Sequence, residues 1–327
     1  MRLNHRIGSA WPRNGAKPIR TLTQVKGSLV ALVTPFRDRK IDGDAFSALC
    51  ERQICRGSSG LVVCGSTGEA AALSGEEHGR VVAMAVEAAA RRVPVIAGCG
   101  ALATEQAVEL SIGAACNGAD ALLCAPPPYV RPTQEGIVAH VRAVAHAGDL
   151  DVLLYDVPSR TGVAVDDATV VHLFESGLII GIKDAAGDLS RPPRLRARCA
   201  DGFRQFSGDD ATSAAHRAMG GDGCISVTAN VVPALCAAMH RAWASLDLLE
   251  FGRLRDLLAP LHHALFAESN PVPVKTALAL ADLCQGELRI PLIRATHSTV
   301  DRLGAILPAI MAADDEMAAK SRIRLAT

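Results

Sequence analysis

Eight short apolar runs rich in β-branched residues recur along the chain. Each ends in a Gly, Pro or polar cluster and is followed by a stretch with helical patterning. No other feature constrains the fold as much. The runs are Leu29–Val33, Gly60–Cys64, Val93–Ala97, Ala121–Cys124, Val152–Tyr155, Ile179–Lys183, Phe203–Ser207 and Gly223–Val227. Amphipathic helical stretches lie between them, at Glu76–Arg91, Glu105–Asn117, Thr133–Ala147, Val165–Glu175 and Asp210–Met219. The step from run to run is one βα unit. Continuous rather than alternating apolar runs describe strands buried on both faces, hence parallel pairing. Eight such units predict an α/β fold, a closed (β/α)8 TIM barrel over residues 26–245. An open doubly wound sheet is the rival. It usually opens on a Gly-rich turn, whereas the first turn here is Thr34-Pro35-Phe36. Beyond residue 245 the strand pattern stops. Leu246–Phe266, Val274–Ala281 and Thr296–Lys320 read as helices, broken by Pro271, Pro273 and Pro291. Residues 246–327 are therefore expected to form a C-terminal helical appendage packed on the barrel.

The start of the chain follows other rules. Its first 37 residues carry seven Lys or Arg and no acid before Asp38. With no apolar core to this stretch, a secretory signal is not expected. An Arg-rich, acid-free start has some character of a transit peptide. The plainer reading of residues 1–25 is a disordered basic extension, or a start codon placed too early. Elsewhere composition mainly excludes. The 34 basic residues balance 34 acidic ones, so no basic face is implied and a nucleic-acid partner is not expected. No apolar run is long enough for a membrane span. The ten cysteines form no CxxC pair, and several sit inside apolar runs, as in LVVCG and ALLCAPP. They read as reduced thiols serving as small hydrophobes in a cytoplasmic protein, with no metal site. His262-His263 and the other histidines show no metal-ligand spacing.

In a (β/α)8 barrel, chemistry is built from the C-terminal ends of strands. Only six lysines occur, and Lys183 alone ends a strongly apolar run, Leu178–Ile182. Desolvation there favours a neutral amine able to attack a carbonyl and form a Schiff base. A lysine reaching solvent from the strand end, or paired with Asp184, is the structural alternative. The two tyrosines, Tyr155 and Tyr129, both fall near strand ends. A phenol there can relay protons or simply pack in the core. Gly65-Ser66-Thr67-Gly68-Glu69 offers two hydroxyls and a backbone nest for a carboxylate, or caps the following helix. Arg160 suits bidentate recognition of a carboxylate, or a surface ion pair. The Ser207-Gly208-Asp209-Asp210 turn can cap a helix or bring backbone groups to a ligand.

Taken together and in order, GSTGE, PPPYVRPTQEG, YDVPSRTG, GIKDAAGD, SGDDAT, GCISVTAN and NPVPVK resemble the dihydrodipicolinate synthases. These 4-hydroxy-tetrahydrodipicolinate synthases belong to the Schiff-base aldolase superfamily that includes N-acetylneuraminate lyase. The resemblance spans residues 25–310. It implies that Lys183 forms a Schiff base with pyruvate and that Tyr155 relays protons above it. It implies that Ser66, where the family usually has threonine, links Tyr155 to Tyr129. Tyr129 resembles a tyrosine donated across a tight dimer interface, and the usual assembly is a homotetramer, a dimer of dimers. Thr67 would hold the pyruvate carboxylate, with Gly208 and Ile225 lining that pocket through backbone groups. Arg160 would bind the carboxylate of aspartate semialdehyde. No metal or cofactor is implied, and the product would feed lysine and diaminopimelate synthesis.

Asp156 stands where the family commonly has asparagine. Leu102 and Gln106 replace an asparagine and a glutamate that sensitive members use to bind inhibitory lysine. Pro128 replaces an aromatic residue and Gly75 a histidine, while His78 remains. Weak or absent inhibition by lysine is therefore expected. Two other readings stay open: a pyruvate-dependent class I aldolase or dehydratase for a sugar acid or hydroxy-oxo acid, and a non-catalytic barrel that binds a keto acid.

Overall fold

The computed structural model describes residues 22–199 and 201–326. Eight parallel strands close on themselves: β1 (Gly27–Ala31), β4 (Leu61–Val63), β5 (Val95–Gly98), β6 (Ala121–Cys124), β7 (Asp151–Asp156), β8 (Gly181–Asp184), β9 (Arg204–Ser207) and β10 (Gly223–Ser226). β1 closes the ring by pairing with β10 on one side and β4 on the other. The predicted runs are these strands, with ends shifted by at most two residues. Ile179 and Ile180 precede β8 rather than belonging to it. Two elements carried no sequence signal. A two-residue hairpin, β2 (Phe36–Arg37) with β3 (Lys40–Ile41), follows β1. A one-turn helix, α5 (Pro158–Thr161), carries Arg160.

The remaining barrel helices are α1 (Gly43–Cys55), α2 (Gly75–Ala89), α3 (Thr104–Cys116), α4 (Gln134–Gly148), α6 (Asp167–Glu175), α7 (Arg191–Arg196), α8 (Ser213–Ala218) and α9 (Pro233–Ala244). Their starts follow capping chemistry. Ser74 and Glu77 form a reciprocal capping box at α2, and the Thr133 hydroxyl accepts from Gly136 N at α4. α8 is shorter than the predicted Asp210–Met219: Asp209 accepts from Ala211 N and Thr212 Oγ1 in the turn before the helix, and Asp210 accepts from Val227 N and Thr228 N beyond β10.

Two apolar layers make the core. One lies between strands and helices and uses Cys64, Cys99 and Cys124 as small hydrophobes. The other fills the barrel with Leu29, Ala31, Val62, Ile96, Leu123, Leu153, Phe206 and Ile225. Leu22 and Val25 belong to this inner layer, so the chain packs on the barrel before residue 26. The rest of the basic stretch expected to be disordered, residues 1–21, lies outside the described residues.

The C-terminal appendage comprises α10 (Leu248–Leu265), α11 (Val272–Leu280) and α12 (His297–Ala326). Buried Asp314 fastens it, accepting from Leu235 N at 2.9 Å and from Arg56 Nη1 at 2.6 Å. Pro273 does not break a helix as expected. It occupies the first turn of α11, where an N–H has no intrahelical partner to lose. Among the described residues no helix is long and apolar enough to cross a membrane.

Candidate active site

The C-terminal strand ends open onto a cavity of about 480 Å³. Register explains its centre. Tyr155 on β7 and Lys183 on β8 are direct partners in parallel pairing. Both side chains therefore stand together at the mouth of the barrel, and Lys183 Nζ lies 4.3 Å from the centroid of the Tyr155 ring. Lys183 is buried. Gly208, just past β9, makes room for it. A Cβ at Gly208 would stand 3.2 Å from Lys183 Cε and 2.9 Å from Ala185 Cβ. Its backbone N–H donates to Asp184 O at 2.6 Å.

Ser66 and Thr67 line the opposite wall on the loop after β4. The loop is closed by Gly68 N donating to Gly65 O and Ala70 N to the same carbonyl. Thr34 Oγ1 donates to Gly68 O at 2.8 Å. Ser66 and Tyr155 share the cavity without a hydrogen bond between them among the described residues. Arg160 reaches the rim, where its Nη2 donates to Asn270 O at 2.9 Å.

Two sequence-predicted residues fall elsewhere. Tyr129 does not line the cavity. It is 88% exposed with φ of 70°, so a single chain leaves its phenol in solvent. Ile225 is buried one layer lower. It pairs with Leu29, whereas Ala31, two residues further along the same inward face, reaches the cavity. From the loop after β10, Val227 lines the wall instead.

Several site residues were not foreseen. Asn270 comes from the segment before α11 and lines the cavity. Its Nδ2 donates to Thr67 Oγ1 at 2.9 Å. With that lone pair taken, the Thr67 hydroxyl hydrogen is free to point at a bound carboxylate. NPVPVK marked this segment in the sequence, but nothing local showed that it reaches the barrel mouth. Outside the barrel wall, Arg191 Nη1 lies 2.6 Å from Asp156 Oδ2 and 3.4 Å from Asp184 Oδ2. These aspartates directly follow Tyr155 and Lys183 and are register partners themselves. Burial pushes the Asp156 carboxyl up, and Arg191 opposes this. Buried His216 also borders the cavity. Desolvation pushes its imidazole down, with Asp184 and Asp222 opposing. Asp210 is structural, accepting from Val227 N at 2.7 Å and Thr228 N at 3.1 Å. Among the described residues no three His, Cys, Asp or Glu side chains are grouped to hold a metal ion.

The arrangement offers a buried amine, a phenol beside it, a hydroxyl-and-amide nest and a guanidinium at the rim. Comparison with known proteins gives it a context. The model of the dihydrodipicolinate synthetase family matches residues 24–310. A curated relative from Rhodospirillum centenum, named 4-hydroxy-tetrahydrodipicolinate synthase, is 50% identical over 282 residues, 86% of this chain and 97% of its own. A solved synthase of that name from Methylacidiphilum fumariolicum SolV gives a TM-score of 0.86 at 36% identity, covering 90% of this chain and 99% of that one. A chloride-inhibited dihydrodipicolinate synthase from Acinetobacter baumannii, solved in complex with pyruvate, gives a TM-score of 0.84 at 40% identity, covering 88% and 99%.

Proposed function

The chain belongs to the dihydrodipicolinate synthetase family, and from that premise we propose that it condenses pyruvate with aspartate semialdehyde through a Schiff base on Lys183. The observation that carries this reading is the buried Lys183 amine 4.3 Å from the Tyr155 ring, at a cavity of about 480 Å³. The Lys183 amine adds to the ketone carbon of pyruvate, the carbinol oxygen takes up a proton relayed by Tyr155, and water leaves to give a protonated imine. That imine is the electron sink. Loss of a methyl proton gives an enamine, and Tyr155 is the nearest phenol to carry protons through these steps. The enamine carbon attacks the aldehyde of the second substrate, and its oxygen takes up a proton. The substrate amine then adds to the imine carbon, closes the ring and releases Lys183. No metal or cofactor enters this sequence.

Thr67 and the adjoining N–H groups receive the pyruvate carboxylate. Arg160 receives that of aspartate semialdehyde, held at the rim by its bond to Asn270 O. In this reading Tyr129 serves the site of a second copy of the chain, within a homotetramer, and Ser66 connects it to Tyr155. Inhibition by lysine is weak. Leu102 and Gln106 supply no carboxylate, and leaving the lysine ammonium unpaired costs roughly 2–5 kcal/mol. Nor is His78 available at the surface, because its Nε2 is bonded to Gly98 O at 2.7 Å in the core.

The test is turnover of both substrates, coupled to the next reductase, together with borohydride trapping of pyruvate. Turnover and a trapped adduct that both vanish in Lys183→Ala are expected. An adduct without turnover would shift the reading to another aldehyde or acid. Absence of both would leave a keto-acid-binding barrel.

A further inference from the structure

Lys275 is the second buried lysine, and the mechanism above gives it no part. It lies on α11, is fully buried and does not line the cavity. Its Nζ is 2.6 Å from Glu69 Oε1 and donates to Thr34 O at 2.9 Å. It also stands 4.2 Å from the Phe36 ring centroid. Glu69 is equally committed. Its second oxygen accepts from Arg289 N at 3.0 Å, and its backbone is left-handed, with φ of 53°. That conformation is uncommon for a residue other than glycine, and it ends the turn that carries Ser66 and Thr67.

A buried ion pair is a poor source of stability, because desolvation offsets most of its attraction. What it does supply is direction. Each oxygen of Glu69 and the Nζ of Lys275 has one geometry in which it is satisfied. The close of the loop is thus pinned by the same lysine along two routes, directly through Glu69 and through Thr34, whose hydroxyl donates to Gly68 O. Asn270, five residues before Lys275, holds Thr67 itself.

We propose that Lys275 and Glu69 are a positioning pair by which the C-terminal helical unit holds the Ser66-Thr67 loop in the geometry that receives the pyruvate carboxylate. The pair acts through the loop and touches no reacting atom. The proposal rests on the Schiff-base reading of the cavity.

The experiment compares wild type with Glu69→Gln, Lys275→Met and the double substitution. The double substitution removes both charges and strands neither. Thermal melting, the KM of each substrate, kcat and the rate of borohydride trapping of pyruvate are measured together. For the double variant the expected result is a cooperative melt, a pyruvate KM raised about tenfold with matching slow trapping, and an aspartate semialdehyde KM within about twofold of wild type. If Lys275→Met does not fold, Glu69→Gln, which keeps the lysine and its bond to Thr34 O, carries the same KM test. A lower melting temperature with unchanged pyruvate KM and trapping rate would overturn the proposal, since the pair would then be structural only. An equal rise in both KM values would overturn it as well. If wild type itself traps no pyruvate, the Schiff-base reading fails first.

Discussion

Arg191 is the most exacting test of how the site is supported. Its guanidinium lies 2.6 Å from Asp156, 2.9 Å from Asp167 and 3.4 Å from Asp184, and donates to Val165 O at 2.5 Å. Asp167 keeps a second cation, Arg194, at 2.8 Å. Asp156 and Asp184 have no other ion-pair partner among the described residues, and their side chains are 0% and 6% exposed. Arg191→Met would leave two adjacent carboxylates buried without a cation. Breaking such a pair by removing one partner costs roughly 3–5 kcal/mol. Asp156→Asn alone is expected to cost about 1–2 kcal/mol, because one of its two donors loses an acceptor.

The double variant should be more stable than Arg191→Met despite carrying one more substitution, with a coupling of about 1–3 kcal/mol in a double-mutant cycle. Chemical denaturation of the four proteins measures this. A loss below about 1 kcal/mol for Arg191→Met, or simple additivity, would refute the reasoning. The pH dependence gives a second check. Burial already holds the Asp156 carboxyl above its ordinary 3.8, and Arg191 opposes that rise. Without Arg191 the folded value climbs further, so between 3.8 and that value the folded state binds more protons than the unfolded one. Stability of Arg191→Met should therefore recover as pH falls through this window and be lowest at neutral pH.

Three further outcomes are expected. Gly208→Ala places a methyl 2.9 Å from Ala185 Cβ and 3.2 Å from Lys183 Cε. It should cost about 1–3 kcal/mol of stability and slow borohydride trapping about tenfold; trapping at the wild-type rate would show that Lys183 does not cross Gly208. Asn270→Ala removes the donor to Thr67 Oγ1 but keeps the backbone carbonyl that holds Arg160. Pyruvate KM should rise several-fold, about 1 kcal/mol of binding, with little change for aspartate semialdehyde; an equal rise in both would refute it. Initial rates with added lysine at millimolar concentration should stay near those without it, and near-complete inhibition would refute the reading of Leu102 and Gln106.

The barrel was legible because each of its strands is a short apolar run ended by a polar or turn-forming residue. What blurred was the strand ends. Ile179 and Ile180 are as apolar as Ile182, but β8 is Gly181–Asp184; Ile180 bonds its backbone to Val152 O and to Arg204 N on the flanking strands, and hydrophobicity does not mark where such a ladder begins. The hairpin at Phe36 and Lys40 was illegible for the opposite reason: two-residue strands have no period to read. The inward site residues were legible by position. Lys183 and Tyr155 end runs, Ser66, Thr67 and Arg160 lie in the turns beyond runs, and all five line the cavity. Ile225, which the family resemblance implied, pairs with Leu29 and does not itself line the cavity.

The supports of the site were hidden by a different circumstance. Arg191 sits in a run of arginines and prolines that reads as exposed loop, yet its charge is spent on carboxylates 35 and 7 residues away. Lys275 and Glu69 are 206 residues apart, and Asn270 and Thr67 are 203 apart. Only closure of the barrel and packing of the α10–α11 segment and α11 against it bring them together. Both sets share one design. A buried cation holds the backbone just beyond cavity-lining side chains: Arg191 behind Tyr155 and Lys183, Lys275 behind Ser66 and Thr67. Neither cation lines the cavity, and a buried ion pair contributes little net stability. Direction is what such a pair adds, and under the proposed chemistry the Lys183 amine needs it most, because misplacement by about 1 Å can cost a hundredfold in rate. Under the proposed chemistry the C-terminal unit thus takes part in the active site, and among the described residues Asn270, in the segment between α10 and α11, is the one that bonds Thr67.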